Sequence, residues 1–99
     1  MEKKVYIVLE EYASENGAII KGVRHNFEDA KRLFAESRLK RLETMRGKWF
    51  DETYDITKPL WQSDMLFDAK DFKDSDTELR WIDSYGDQYS LTIEEEGVL

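Results

Sequence analysis

One segment of this 99-residue chain carries a clear helical period, and it lies between segments that do not. Phe27, Ala30, Phe34, Leu42 and Met45 fall within about 120° of one another at roughly 100° per residue. Asp29, Glu36 and Glu43, spaced by seven, lie on the opposite side. Asn26 is a good N-cap, and Asp29 three residues later gives a weaker form of the capping box. Glu36 and Lys40 form an (i, i+4) pair in the favourable orientation. Arg46 and Lys48 suit the negative end of a helix, and Gly47 can stop it. The spacing predicts one long helix over about residues 27–46. A lone helix with one apolar stripe must bury that stripe on something else, and the flanking segments read as strands.

Val5 to Leu9 is β-branched and aromatic, and short enough for a strand. Ser14 to Gly17 signals a turn, and Ala18 to Arg24 reads as the returning strand. The strands are expected over about 4–13 and 18–25. Two registers fit. A two-residue Asn16-Gly17 turn places Arg24 opposite Leu9. A three-residue loop with Gly17 in the left-handed position places Val23 opposite Leu9 and Lys21 opposite Glu11. The second gives an apolar pair and an opposite-charge pair, and is preferred.

Residues 48–77 hold no period for long. They include Trp49, Phe50, Tyr54, the only proline (Pro59), Leu60, Trp61, Met65, Leu66, Phe67 and Phe72. A structureless loop of this length is unusual in a compact domain, so a short helix or extra strand is expected around Leu60–Phe67. Asp71, Asp74, Asp76 and Glu78 then read as an acidic turn. A second hairpin is expected over about 78–95, with Trp81 opposite Leu91 and Leu79 opposite Ile93. Glu94, Glu95 and Glu96 close the chain in solvent. The expected architecture is a single α+β domain over residues 1–99. In it an antiparallel sheet of two hairpins, in the order β-β-α-…-β-β, packs against the long helix.

Charge is divided unevenly along this fold. Residues 1–48 carry eleven Lys/Arg and eight Asp/Glu, whereas residues 49–99 carry four and fourteen. The second half also holds nine of the thirteen aromatic residues and all three tryptophans. Large rings at this density argue against disorder. The net charge of −7 disfavours direct binding to nucleic acid or anionic lipid. Without cysteine there is no disulfide, zinc–thiolate site or cysteine nucleophile. A small domain without such staples fits the cytoplasm. Met1-Glu2-Lys3-Lys4 before Val5–Leu9 resembles a signal peptide only superficially, because the apolar run is short and Glu10-Glu11 ends it.

The residue types of catalysis are sparse. His25, the only histidine, follows a strand and abuts a helix cap with no serine-nucleophile signature nearby, and reads as an ordinary loop histidine. The Asp71–Glu78 acids lack the glycine and the spacing of an EF-hand loop. The five glycines are scattered and form no phosphate cradle. Lys31, Arg32, Arg38, Lys40 and Arg41 are interleaved with Glu28, Asp29, Glu36 and Glu43, as on a solvated helix. Neither a catalytic residue nor a cofactor or metal site is expected. The acidic, aromatic second half offers a protein-binding face as its functional reading. Its carboxylates can occupy an Arg/Lys channel evolved for phosphates. The candidate contacts are Asp64, Asp68, Asp71, Asp74, Asp76 and Glu78, with Glu94, Glu95 and Glu96 at the rim. The competing reading makes Trp49, Trp61, Phe67, Trp81 and Tyr89 core, with the acids serving solubility.

The run Val5-Tyr6-Ile7-Val8, then Ile19-Ile20-Lys21-Gly22-Val23, then Phe27-Glu28-Asp29-Ala30-Lys31 resembles a type of small ββα…ββ protein of bacteria and their phages. The late Trp81–Ile93 hairpin fits the same pattern, so the likeness covers about two-thirds of the chain. It implies the fold and carries over no functional residue. Size, acidity and the lack of catalytic motifs are also similar to anti-CRISPR and other phage-encoded inhibitors. That likeness implies an acidic inhibitor, a DNA mimic, of a host nucleic-acid enzyme, whose partner presents a basic surface. The expectation from another class is a structural or oligomerising domain that uses an exposed strand edge or aromatic patch.

Overall fold

The computed structural model describes residues 3–12, 17–47, 50–60, 70–83 and 86–98. Strands β1 (Lys3–Tyr12) and β2 (Ala18–Arg24) precede helix α1 (Phe27–Met45), and β3 (Lys70–Asp74), β4 (Glu78–Ile82) and β5 (Gln88–Val98) follow. The strands make one five-stranded antiparallel sheet in the order β2-β1-β5-β4-β3. The α+β class is as the sequence predicts, but the sheet is larger than two hairpins. β1 and β5 pair from Lys3 opposite Val98 to Tyr12 opposite Tyr89, which fuses the hairpins at the centre. These are the two longest strands, and only a central position satisfies the backbone groups along both their edges.

The fifth strand, β3, comes from the segment without a period. Its one large apolar residue is Phe72, and Asp71 takes a positive φ of 50° where the ladder shifts between Lys70 and Lys73. Asp71 and Asp74 therefore belong to a strand, not to the acidic turn expected there. The turn is confined to Ser75–Thr77, closed by the Ser75 N–H donating to the Glu78 carbonyl at 2.9 Å. Apart from Leu60, the helix or strand expected around Leu60–Phe67 lies outside the described residues.

Neither expected register for the first hairpin holds. Ile7 faces Val23 and Val8 faces Gly22; after a bulge Leu9 faces Ile20 and Glu11 faces Ala18. Gly22 faces the helix, where an added Cβ would stand 2.6 Å from Leu33 Cδ2 on α1, a contact relieved only if that side chain moves. The second hairpin is also two residues tighter than expected, with Leu79 opposite Leu91 and Trp81 opposite Tyr89. The Asp83 N–H donates to the Asp87 carbonyl and the Asp87 N–H to Asp83 Oδ1, both at 3.0 Å. Trp81 then stacks on Tyr89 with ring centroids 4.3 Å apart. Because the shift is two, the expected apolar face survives.

Helix α1 begins where the cap predicts. Asn26 Oδ1 accepts the Glu28 and Asp29 N–H groups at 2.8 and 3.3 Å. Ala30, Phe34, Leu42 and Met45 are buried as expected, joined by Ser37 and Arg38. Phe27 is not in the core: it is 40 % exposed and rests against the Tyr6 ring. The expected Glu36–Lys40 pair is absent among the described residues, and (i, i+3) pairs join Arg32 to Asp29 and Arg46 to Glu43. Val8, Phe34, Leu42, Phe50, Leu60, Leu79 and Leu91 are fully buried, each worth about 1.5–3 kcal/mol of transfer free energy. Residues 50–60 reach this core through two Asp-x-Thr turns. The carboxylates of Asp51 and Asp55 each accept the N–H and hydroxyl of the threonine two residues on, which holds both below the usual carboxylate range.

A buried ion pair closes the assembly. Arg38 donates from Nε and Nη2 to the two Asp74 oxygens at 2.8 and 2.7 Å. Its remaining donors meet the carbonyls of Ile56 and Lys58, and Asp74 also accepts the Leu60 N–H at 2.7 Å. Removing one member strands the other charge in the interior. Arg38→Met is expected to lower unfolding free energy by about 3–5 kcal/mol in urea titration, with Arg38→Met/Asp74→Asn losing less than the sum of the two single changes.

Candidate functional site

The sheet has two unlike faces, set by the period of two along each strand. On one, Val8, Glu10, Tyr12, Tyr89, Leu91 and Ile93 turn toward α1, which packs on β1, β2 and β5. On the other, no described helix packs over these strands. There Val5, Ile7 and Leu9 of β1 lie beside Val23 and Ile20 of β2. Ile20 is 61 % and Val23 45 % exposed, and the three β1 residues are half-buried. Across the other edge of β1 stand Glu94, directly opposite Ile7, and Glu96, directly opposite Val5. The open face is thus an apolar stripe with an acidic row alongside it.

The acids expected at a partner surface divide by how this chain answers them. Asp74 is withdrawn from the surface, its side chain only 2 % exposed in the Arg38 pair. It is a structural residue, and a lysine in its place would set a second buried cation against Arg38. Asp76 is 74 % exposed but lies 3.3 Å from Lys31 Nζ. Glu78 is paired with Lys73 and Arg80, and Glu95 with Lys4. Asp71, Glu94 and Glu96 are exposed and have no ion pair among the described residues. Glu94–Glu96 are part of β5, so their side chains alternate between faces and do not form one block. Asp64 and Asp68 lie outside the described residues.

The residues that pattern reasoning missed sit on the helix side. Glu10 is buried and accepts the Tyr89 hydroxyl at 2.7 Å, with Arg41 Nη2 at 3.1 Å and Lys21 Nζ at 3.3 Å. The Arg41 guanidinium also lies over the Tyr12 ring, 4.6 Å from its centroid. Burial alone would raise the Glu10 pKa, but the Tyr89 and Arg41 hydrogen bonds and nearby cations outweigh it and hold it below its ordinary value. Burial, then the bond to Glu10, drives Tyr89 well above the usual phenol range. The available signal was phase: Glu10 falls between Val8 and Tyr12 on the core side of β1.

A groove of about 490 Å³ lies between α1, the Thr57–Pro59 turn and the β3–β4 turn. Its cations are already matched: Arg38 with Asp74, Lys31 with Asp76 and Arg32 with Asp29. His25 is exposed and has no hydrogen-bond partner among the described residues. No group of three or more His, Cys, Asp or Glu side chains converges there or elsewhere among the described residues. No described helix is long and apolar enough to cross a membrane. Comparison with protein-family models, curated proteins and solved structures finds no match to this chain.

Because the Glu10 pKa is depressed on folding, its stabilisation is present above the ordinary value of 4.5 and lost as pH falls through the folded-state value. Glu10→Gln is expected to cost about 1–3 kcal/mol near neutral pH. Its unfolding free energy should also fall less steeply than wild type between pH 5 and 3, roughly, in urea titrations.

Proposed function

We propose that this protein is a non-enzymatic protein-binding module whose contact surface is the open face of its sheet. The observation that carries this reading is the stripe of Val5, Ile7, Leu9, Ile20 and Val23, half-buried to exposed and covered by no helix among the described residues, on the strands that α1 covers from behind. A contiguous apolar patch rimmed by charge is the usual mark of an interaction surface. Of the unanswered acids, Glu94 and Glu96 border that stripe and favour a basic partner.

In its more specific form the partner is a basic channel of a nucleic-acid enzyme, and the protein is a cytoplasmic, phage-type inhibitor that displaces the nucleic acid. The net charge of −7 supports this form. Asp71, Glu94 and Glu96 are its surface contacts. Asp76, Glu78 and Glu95 contribute less, because the chain's own lysines and arginines already neutralise them. The same stripe supports a second reading, a structural domain that oligomerises through it.

Affinity capture from a bacterial lysate with wild type and Ile20→Lys/Val23→Lys, alongside sizing of the purified protein, separates these readings. The module reading expects a protein captured by wild type, lost with the double variant and released by salt. A salt-resistant, concentration-dependent dimer abolished by the same variant would favour the oligomerising domain instead. Asp76→Lys, which leaves the Arg38–Asp74 pair in place, is expected to weaken capture less than Glu94→Lys/Glu96→Lys.

A further inference from the structure

We infer that the open face is built to seat an amphipathic, basic α-helix of a partner protein, lying along β1 with its apolar side on β2 and β1 and its Lys/Arg flank over Glu94 and Glu96. This inference rests on the reading of that face as a protein-binding surface. Three features of the face point to this occupant.

The first is charge order across the sheet. Moving from the β2 edge inward on the open side, the cross-strand neighbours are Val23, Ile7 and Glu94, one step from apolar to acidic. One residue pair along, Val5 stands beside Glu96. Farther in, the Glu78 carboxylate lies 3.0 Å from Lys73 Nζ and 3.9 Å from Arg80 Nη1. The unanswered charge on this face of β5 is therefore confined to the border of the stripe. A ligand that is apolar on one side and cationic on the adjacent side matches it, whereas a uniformly apolar ligand leaves the carboxylates desolvated and unpaired.

The second is width. Three adjacent strands span two gaps of about 4.8 Å, close to the roughly 10 Å diameter of a helix. The lane formed by β2, β1 and β5 is the lane that α1 occupies on the opposite side. Val5, Ile7 and Leu9 run for about 13 Å, which two to three helical turns cover with side chains at i, i+3, i+4 and i+7. The third is self-repulsion. A second copy of the chain brings another −7 charge to a face whose border is already acidic, which disfavours a face-to-face homodimer.

The test uses two synthetic 18-residue helical peptides with the same leucine face, one with lysine and one with glutamate on the polar side. Each is titrated into isotope-labelled full-length protein and followed by backbone NMR at low and at near-physiological salt. The lysine peptide is expected to bind, with shifts concentrated at Val5, Ile7, Leu9, Ile20, Val23, Glu94 and Glu96, and the glutamate peptide to bind at least roughly tenfold more weakly. Val23→Lys and Glu94→Lys/Glu96→Lys, each checked for a native-like spectrum, are expected to weaken the lysine peptide by about tenfold or more. The inference is overturned if neither peptide binds, if the shifts map to the groove beside α1, if charge reversal has no effect, or if the protein self-associates through the stripe. Lysate capture that is lost in Ile20→Lys/Val23→Lys, together with failure of both peptides, would keep the face as a binding surface and reject the helical partner. An extended segment added to the β2 edge would then be the alternative.

Discussion

The Arg38–Asp74 pair is the constraint on which the rest of this fold leans. It ties the middle of the helix to the far edge strand and, through the carbonyls of Ile56 and Lys58 and the Leu60 N–H, fixes the irregular 50–60 segment between them. A strand as polar as β3 has little apolar burial to hold it. Its Phe72 ring lies 6.3 Å from that of Trp81, and beyond that the buried carboxylate of Asp74 does the anchoring. Three residues along the helix, Arg41 joins Glu10, Lys21 and Tyr89 in a second polar clasp, this time to the central strand β1. The helix therefore sits on the sheet through two ionic contacts as well as an apolar stripe.

Those clasps leave few unmatched charges on the helix side of the sheet. The charged groups lining the groove beside α1 are largely committed to one another. The opposite face is simpler: apolar residues on β1 and β2, acids on β5, and no described helix packed over it. The uneven charge along the sequence becomes an uneven surface only after the sheet order is known. β5, from the acidic end of the chain, lies next to β1, from the other end, and so Glu94 and Glu96 come to border Ile7 and Val5.

Much of this was legible in the sequence, and the losses have physical causes. The Asn26 cap, the Phe34–Leu42–Met45 stripe and the Trp81–Tyr89–Leu91 face follow from local periods, which side-chain spacing reports directly. The pairing of β1 with β5 is a long-range choice with no local signature. β3 is hidden because Asp71 and Asp74, with Asp76 and Glu78, read as an acidic turn. Asp74 was placed on the surface for the same reason: composition does not distinguish a carboxylate in water from one whose oxygens meet an arginine and a backbone amide. The first hairpin's register escaped because the ladder shifts at a bulge between Val8 and Leu9, which local side-chain patterning does not signal.

The claim that matters most is that the β1–β2 stripe is open in the free protein. Solvent paramagnetic relaxation at side-chain methyl groups, recorded on the purified full chain over a range of concentrations, tests it most directly. Ile7, Ile20 and Val23 are expected to relax strongly and independently of concentration, while Val8, Leu79 and Leu91 stay protected. Protection of Ile20 and Val23 at the level of Leu91 would mean that another part of the chain, or another copy, already covers the face, and would contradict the account.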